Sequence, residues 1–394
     1  MSKKIYLDHA ATTPLLPEVF EVMKGVYLNN FGNASSLHEL GQEARDILEN
    51  ARKKAAELFG VESKEIIFTG SGTESDNLAI QGVAFKNKDK GNHIITSSIE
   101  HPAVLNTCRY LKNFGFRVTE VPVDGDGILQ LDKLQEAITD ETVLITVMYA
   151  NNEIGTIQPI KEIGEIATDK GIIFHTDAVQ AFGKVPIDPG IDGFQLLSAS
   201  AHKIYGPKGV GLLYMKGGGA LKGVGKYIQP ILQGGGHERG YRPATENVPG
   251  VVGMVKAMEI TFGSMEEEMG REKNVRDLLI DGILEKIPDT LLNGHRTRRL
   301  PNNANFSFKY VEGESLLLRL DMKGYEVSTG SACSSKKLEA SHVLLAIGLD
   351  PEVAHGSVRV TIGRSTDEEV VDKLTDDLDK IVSTLRAISP LGKK

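Results

Sequence analysis

The stretch EIIFTGSGTESDNLAI, residues 65–80, joins a short apolar run to a helical pattern through a turn of small residues. Ile66, Ile67 and Phe68 make a run of the length expected for a buried strand. Ser71, followed three residues later by Glu74, matches the capping box that begins a helix. The stretch therefore predicts one strand followed directly by one helix.

Similar apolar runs recur at helix-length spacing as far as residue 215, namely HIITSS, FRVTEVPV, TVLITVMY, GIIFHTD, FQLLS and VGLLYM. Strands that alternate with helical patterns predict right-handed β-α-β crossovers. We therefore expect an α/β fold in which a large domain contains a mainly parallel, seven-stranded sheet covered by helices. The glycine-rich segments 215–225 and 233–240 carry no apolar period, so we interpret them as loops.

A smaller α+β domain is predicted from the remaining sequence. Residues 250–287 have apolar positions at helical spacing, which predicts one long helix or two that lead toward it. The runs NFSFKYVEG, ESLLLRLDMKG and SVRVTIG, and a final amphipathic helix, would belong to it. The predicted division assigns 16–260 to the large domain, and 1–15 with 261–394 to the small one.

The composition excludes several classes of protein. With 45 Lys and Arg against 53 Asp and Glu, the net charge of −8 gives no reason to expect a nucleic acid or an anionic membrane as partner. Two cysteines, Cys108 and Cys333, provide neither a disulfide framework nor a zinc motif. The N-terminus lacks the apolar core of a signal peptide, and the apolar runs are shorter than the ~20 residues of a membrane span. We expect a soluble cytoplasmic protein without a metal site.

Polar residues follow five of the predicted strands, where open α/β sheets bind ligands. They are Gly72, Thr73 and Glu74; Glu100 and His101; Asn151, Asn152 and Glu153; Asp177 and Gln180; and Ser200, His202 and Lys203. Free N–H groups at the helix start after Ser71 would suit a phosphate. A lysine at a strand end, near an aspartate and a phosphate cradle, can form a Schiff base. Such a set is what pyridoxal phosphate (PLP) requires of a protein.

Ordinary structural explanations exist for each of these residues taken alone. The turn at Ser71 lacks a GKS or GKT sequence, and a simple helix cap explains it. Asp177 could cap the helix start that follows it, and a lysine such as Lys203 is by default a surface residue. A lone histidine such as His101 is by default structural, and Arg359 in its strand would make a surface ion pair.

Eight motifs together resemble the cysteine desulfurases of the NifS/IscS group, which are fold-type I PLP enzymes of the class V aminotransferase family. The resemblance covers about residues 5–388. Its motifs are YLDHAATTP, FTGSGTESDNLAI, SIEHPAVLNTCRYL, ANNEIGTIQPI, HTDAVQAFGKVPID, SASAHKIYGPKGVG, GGGHERGYRPATENVPGVVG and STGSACSS with SHVLLAIGL.

The resemblance implies a role for each matching residue. Lys203 would bind PLP as a Schiff base, Asp177 would pair with the ring nitrogen, Gln180 would bind the ring hydroxyl, and His101 would stack on the ring and transfer protons. The substrate carboxylate would be bound by Asn152 and Arg359. The phosphate would be held by Gly72, Thr73, Ser200 and His202, and by Thr245 from a second subunit, which makes a homodimer part of the prediction.

Cys333 lies in STGSACSSKK, residues 328–337, without an aromatic or branched residue near enough to pack it. From its surroundings it is a spare thiol, a metal ligand or a nucleophile. The resemblance implies a nucleophile that attacks the sulfur of L-cysteine, giving L-alanine and a Cys333 persulfide whose sulfur passes to an iron–sulfur scaffold or another acceptor. Because such a thiol must enter and leave the site, we expect a mobile loop at about 327–341, disordered without substrate. Cys108, in a helical pattern, is expected to be a buried structural thiol.

Three features depart from the resemblance. The sequence leading to Thr245 reads RPAT, whereas the resemblance predicts serine or alanine followed by glycine before this threonine. We therefore expect a different backbone there. The chain ends at SPLGKK soon after its last helical pattern, which leaves the choice of acceptor open. His9 receives no role.

Two alternative functions remain. A selenocysteine lyase or another class V PLP enzyme would keep the fold and make Cys333 incidental. A non-catalytic sulfur or iron–sulfur carrier would use Cys333 as a ligand to a cluster on a partner protein. The stretch of small residues around Cys333 favours the desulfurase, because that chemistry needs a swinging thiol.

Overall fold

The computed structural model describes residues 4–218, 227–329 and 340–389. Within these ranges the strands are β1 Ile5–Tyr6, β2 Ile66–Thr69, β3 His93–Ser97, β4 Arg117–Val121, β5 Thr142–Thr146, β6 Ile173–Asp177, β7 Leu196–Ser200, β8 Gly211–Met215, β9 Thr290–Leu292, β10 Asn303–Phe308, β11 Tyr325–Glu326 and β12 Ser357–Thr361. The predicted runs between residues 65 and 215 correspond to β2 through β8.

The α-helices of the described residues are α1 Pro17–Asn29, α2 Glu39–Phe59, α3 Gly72–Lys86, α4 Pro102–Leu111, α5 Leu131–Ala137, α6 Ile160–Asp169, α7 Val248–Gly263, α8 Met265–Lys286, α9 Gly313–Lys323, α10 His342–Ala346, α11 Pro351–His355 and α12 Glu368–Ile388. A short 3₁₀ helix, Ala201–Lys203, continues directly from β7.

The central sheet has seven strands in the order β2-β8-β7-β6-β5-β3-β4. Strand β8 pairs antiparallel with both of its neighbours, and the remaining pairs are parallel. The prediction of a mainly parallel, seven-stranded sheet is therefore confirmed. Because β3, β5, β6 and β7 run in the same direction, their carboxyl ends meet at one edge of the sheet.

Both faces of this sheet are covered, as its nearly continuous apolar strands require. Successive residues of one strand pack into two separate cores, as with Ile67 and Phe68 of β2 or Leu144 and Ile145 of β5. The alternation is the two-residue period of a strand with each side chain buried. The burial on both faces fixes the register of the strands, and with it the residues that stand at their ends.

The smaller part of the molecule is α+β, as predicted. A three-stranded antiparallel sheet, in the order β12-β10-β9, packs with β1, α8, α9 and α12 around a core of its own. Strand β1 pairs in parallel with β11, so the N-terminal segment joins this part rather than the large sheet. The Leu7 carbonyl also accepts a hydrogen bond from the Thr361 N–H, which holds β1 beside β12.

Of the two predicted alternatives, one long helix or two, the structure has two helices, α7 and α8, separated at Ser264. Helix α7 packs on α1 and α2, whereas α8 packs on α12 and β9. The domain boundary at residue 260 stays a prediction. No helix among the described residues is long and apolar enough to cross a membrane.

Candidate active site

A cavity of about 300 Å³ opens at the carboxyl ends of the parallel strands. Its walls bring together most of the predicted site residues, which are Gly72, Thr73, His101, Asn152, Asp177, Gln180, Ser200, His202, Lys203 and Arg359. The wall also contains residues that the sequence did not single out as site residues, among them Ala10, Ala11 and Asp76. The strand ends therefore converge as the fold requires, and we call this cavity the strand-end pocket.

The N-terminus of α3 forms one end of the strand-end pocket. Ser71 caps the helix by accepting a hydrogen bond from the Glu74 N–H at 3.0 Å. In a complete capping box the Glu74 side chain would accept from the Ser71 N–H. Instead its Oε2 accepts from the Gly70 N–H at 2.9 Å and its Oε1 accepts from Arg242 at 2.8 Å, so only part of the predicted box forms. The helix start is thus held in place by both residues that the sequence indicated.

Gly72 shows why small residues are needed at this helix start. A Cβ atom added there would lie 2.6 Å from Val179 Cγ2 and 3.4 Å from Ser200 Cβ. Glycine therefore keeps the backbone open between α3 and the ends of β6 and β7. The first N–H groups of a helix have no intrahelical acceptor and attract anions, so this end of the pocket suits a phosphate group.

Asp177 stands at the end of β6 and is 6% exposed. Its Oδ1 accepts a hydrogen bond from the Val179 N–H at 2.9 Å, so it also caps the following turn, as the structural alternative proposed. Burial raises the pKa of Asp177, while the nearby His101 and Lys203 act to lower it. A carboxylate in this position needs a proton or a cationic partner.

Asp76, on α3, is a second buried carboxyl group in the same wall. Burial, followed by the charge of Asp177, raises the pKa of Asp76 well above its ordinary value. Its Oδ1 has no hydrogen-bond partner among the described residues and lies 3.7 Å from Nε2 of His175. Asp76 lies within α3 rather than directly after a strand. The positions that follow predicted strands therefore did not indicate it.

Lys203 ends the short helix after β7, and its Nζ donates to the carbonyl oxygens of Ala10 and Ala11. Burial, together with the positive charges of Lys184 and Arg359, lowers the pKa of Lys203 to about 7. It is therefore not an ordinary surface lysine. A considerable share of its amine is unprotonated, and nucleophilic, near neutral pH.

The N-terminal segment after β1 supplies the acceptors opposite Lys203. The Ala10 carbonyl also accepts from Gln180 Nε2 at 2.9 Å, so Gln180 and Lys203 share one oxygen. His202 Nδ1 lies 3.1 Å from Thr12 Oγ1, and burial lowers the pKa of His202 to about 4. The motif LDHAATTP thus lies beside the lysine, although no role was predicted for its residues.

His101 is the N-cap of α4 and faces the strand-end pocket. Its Nδ1 accepts a hydrogen bond from the Ala103 N–H at 3.1 Å, so the ring proton of the neutral form is on Nε2. Burial lowers the pKa of His101, against the opposing influence of Asp177. A neutral imidazole held in one tautomer can donate a proton at a defined position.

Arg359 reaches the pocket from β12 and is 3% exposed, so it is not a surface residue. Its Nη1 donates to the Asn152 carbonyl oxygen at 2.9 Å, and its Nη2 donates to Asp8 Oδ1 at 2.7 Å. Arg359 and Asn152 therefore lie together in the pocket wall, and their binding of a substrate carboxylate stays a prediction. The ion pair anticipated for Arg359 also exists, but it is buried.

Three predictions concern residues outside this pocket. Thr245 has an exposed side chain and does not line it, and Ala244 before it has φ of +116°, in a region that favours glycine. Cys333, with most of the predicted loop 327–341, lies outside the described residues. Cys108 on α4 is fully buried, as expected, and burial raises the pKa of its thiol.

The pocket fits PLP by its own features. It has the volume of a small cofactor site, an anion-accepting helix start kept open by Gly72, and a buried carboxyl group at Asp177. Lys203 offers an amine that is partly unprotonated near neutral pH. No group of three or more His, Cys, Asp or Glu residues in the described parts of the chain is arranged to hold a metal ion.

The sheet order and this set of side chains together define a fold-type I PLP enzyme. The chain belongs to the aminotransferase class-V family, whose profile matches residues 5–374. It is 54% identical to a protein named cysteine desulfurase IscS from Methanosarcina thermophila, over 100% of this chain and 95% of the relative.

Two solved structures extend this similarity to the fold. One, titled NifS-like protein, is 37% identical with a TM-score of 0.89, covering 97% of this chain and 100% of that chain. The other, titled SspA in complex with cysteine, is 35% identical with a TM-score of 0.80, covering 91% of this chain and 99% of that chain.

Proposed function

We infer that this chain is a PLP-dependent cysteine desulfurase that takes sulfur from L-cysteine and releases L-alanine. The observation that carries this conclusion is the strand-end pocket, which joins a lysine of lowered pKa to Asp177, His101 and a carboxylate-binding arginine. Relatives of about the same length carry the name cysteine desulfurase, and one similar solved protein is titled as a complex with cysteine.

PLP supplies an electron sink that acidifies the substrate Cα–H. We propose that Lys203 binds its aldehyde carbon, Asp177 its ring nitrogen, Gln180 its ring hydroxyl, and that His101 stacks on its ring. The phosphate would lie at the start of α3. Its proposed ligands are Gly72, Thr73, Ser200 and His202.

Lys203 would then take the Cα proton once its amine is free. Its lowered pKa supports this role, because a base that is unprotonated at neutral pH can accept a proton. His101 would protonate or deprotonate sulfur or carbon from Nε2, the ring nitrogen that carries the proton in the neutral form. Arg359 and Asn152 would hold the substrate carboxylate and so orient Cα toward Lys203.

Cys333 is proposed as the nucleophile. Its thiolate attacks Sγ of L-cysteine, so that an S–S bond forms while the Cβ–Sγ bond breaks, and the carbon product leaves as L-alanine after protonation. The persulfide sulfur then passes to an acceptor.

The residues that flank the Cys333 segment support this role, because both sides are held at the pocket wall. On one side, the Ser328 backbone exchanges two hydrogen bonds with the Arg359 backbone. On the other, Ser341 Oγ donates to Glu153, the neighbour of Asn152. Five residues of extended chain from Ser328 reach at most roughly 17 Å. These flanking contacts support the proposal that Cys333 acts at the substrate site.

The test is incubation of the holoenzyme with L-cysteine in the absence of reductant, followed by mass measurement of the peptide that contains Cys333. One added sulfur atom is expected in the wild type and in Cys108→Ala, and none in Cys333→Ala. A Cys333→Ala variant that releases sulfide from L-cysteine at the wild-type rate would contradict the role. Release of selenium from L-selenocysteine by that variant would instead favour the lyase alternative.

We further propose a homodimer in which Thr245 completes the phosphate site of the other subunit. Thr245 is exposed and does not line the pocket of its own chain, which supports a role across an interface. An exposed apolar face on α1 and the segment before α2 suits a second copy of the chain. Its residues are Phe20, Tyr27, Leu28, Phe31 and Leu37.

Mixing two inactive variants tests this arrangement. If Thr245 serves the other subunit, a heterodimer of Lys203→Ala and Thr245→Ala contains one complete site, and activity returns on mixing. If Thr245 acts within its own subunit, neither site is complete and no activity returns. Sedimentation of the wild type at the mass of a monomer would contradict the homodimer directly.

The destination of the sulfur is also a proposal. The name IscS of the relatives favours an iron–sulfur scaffold protein as acceptor, with another thiolation acceptor as the alternative. The small number of cysteines favours the reducing cytoplasm. The net charge gives no support for direct binding of nucleic acid or membrane.

A further inference from the structure

Arg359 already has a carboxylate partner before any substrate arrives. Asp8 Oδ1 accepts from Nη2 at 2.7 Å, and the Asn152 carbonyl accepts from Nη1 at 2.9 Å. The Nε of Arg359 is buried and has no hydrogen-bond partner among the described residues. One internal carboxylate thus pairs with the guanidinium, while the Nε–H donor remains without a partner among the described residues.

The backbones of both partners are fixed. Arg359 is paired with Asn305 of β10 on one side and exchanges hydrogen bonds with Ser328 on the other. Asp8 lies two residues after the end of β1 and forms a bridge with Thr361 of the same strand as Arg359. Strand β12 therefore holds the two backbones beside each other.

The two side chains differ in how closely they are enclosed. The side chain of Arg359 is 3% exposed, whereas that of Asp8 is 18% exposed. A short aspartate side chain at the edge of the site can turn toward solvent, while the arginine stays. Because of this difference, Asp8 is the side chain that would move away when another carboxylate approaches Arg359.

We propose that Asp8 is an internal competitor for Arg359, which holds the guanidinium in place in the empty enzyme and weakens the binding of substrate and product carboxylates. The proposal deepens the proposed function and rests on it, since it assumes that Arg359 binds the substrate carboxylate. Two carboxylates that share one guanidinium repel each other, so each weakens the binding of the other. Weaker binding of the L-alanine carboxylate would speed its release after sulfur transfer.

Other charged groups face this pair. The charges of both members change the pKa of Lys203, which Arg359 lowers and Asp8 raises. His9, next to Asp8, is buried and its Nδ1 lies 2.9 Å from the Thr361 carbonyl oxygen, with its pKa lowered by burial. A neutral residue at position 8 therefore removes a negative charge that opposes the positive charges of Arg359 and Lys203.

Asp8→Asn isolates the charge, because asparagine keeps an oxygen that can accept from Nη2. The measurement is a titration of the holoenzyme with L-alanine, and separately with ethylamine, which lacks the carboxylate. Binding is followed by the absorbance of the bound chromophore. We expect the Kd for L-alanine to fall about tenfold in Asp8→Asn, as removal of a neighbouring like charge commonly produces, while the Kd for ethylamine changes less than about twofold.

Steady-state kinetics give a second readout. The KM for L-cysteine is expected to fall in Asp8→Asn while kcat does not rise, because tighter product binding slows release. Asp8→Glu retains the charge and should resemble the wild type in both measurements. Asp8→Ser serves as a second neutral variant should the asparagine variant fold poorly, and it should also bind L-alanine more tightly.

Weaker or unchanged L-alanine binding in both neutral variants would contradict the proposed competition. Asp8 would then only hold the Arg359 side chain in place. Equal tightening for L-alanine and ethylamine would also overturn it, since the effect would not depend on the carboxylate. If the wild type binds ethylamine as tightly as L-alanine, and Arg359→Lys does not change either value, the proposed role of Arg359 itself fails.

Discussion

The strand-end pocket has two sides that differ in how their residues reach it. On the large-sheet side, Asp177 and Lys203 follow parallel strands and are carried to the pocket by the fold class itself. On the other side, Ala10 lines the pocket and Asp8 contacts the wall residue Arg359; both come from the first few residues of the chain and depend on pairing of β1 with β11. The first side provides side chains whose pKa values are shifted by burial, and the second provides mainly fixed acceptors. The difference suggests that chemistry resides on the sheet, whereas the N-terminal side adjusts orientation and charge.

Replacement of Lys203 is the strongest way to test the role of the sheet side. Lys203→Ala is expected to abolish covalent cofactor binding and to reduce L-alanine formation by roughly 10³-fold or more, as loss of both nucleophile and base implies. The measurements are the absorbance of the purified protein and its loss on borohydride treatment. Lys208→Ala, an exposed lysine nearby, should retain both the chromophore and activity. A yellow chromophore in Lys203→Ala that borohydride bleaches would disprove the assignment.

The two buried carboxyl groups of the sheet side are expected to respond differently. Asp177→Asn removes the proposed partner of the ring nitrogen and should lower kcat by roughly 10²-fold or more. Burial and the charge of Asp177 raise the pKa of Asp76 and so favour its uncharged form, and the neutral Asp76→Asn should therefore change kcat by less than about threefold. Kinetics with L-cysteine measure both. Equal losses in the two variants would show that Asp76 is ionised and contributes to the site.

The pH dependence of cofactor capture tests the charges around Lys203. Since the pKa of Lys203 is lowered to about 7, its amine is mostly protonated below that pH and unprotonated above it. The rate at which the apoprotein captures PLP should therefore rise with pH to a plateau above 7, and fall about tenfold per unit well below it. Lys184→Met removes a positive charge that lowers the pKa of Lys203, so the midpoint should move upward. A midpoint that stays in place, or moves down, would contradict this coupling.

The large-sheet side could be predicted from the sequence because its signals are local. Each apolar run and the polar residue after it lie within a few positions, and the shared direction of parallel strands brings them together. Motif resemblance added the roles of Gln180 and Arg359, which local patterns left ambiguous. Asp8, Ala10 and Asp76 could not be found in this way. Asp8 and Ala10 depend on long-range pairing of β1 with β11 and β12, and Asp76 faces the pocket from within α3.

The segment before Thr245 is where a sequence departure and the structure meet, and it gives the smallest expected effect. Ala244 has φ of +116°, a region that favours glycine, and glycine is the residue that the resemblance predicts there. Ala244→Gly should therefore raise the free energy of unfolding by about 1 kcal/mol, through relief of backbone strain that exceeds the added entropy of the unfolded chain.

Thermal or urea unfolding of the holoenzyme measures this effect. Ala51→Gly, in the middle of α2, is the matched control and should lower stability by about 1 kcal/mol, because glycine is unfavourable inside a helix. If both substitutions destabilise the protein equally, the backbone at Ala244 is not strained. Alanine would then adopt this backbone conformation without cost. The RPAT sequence would position Thr245 as well as the expected glycine-containing sequence does, without backbone strain.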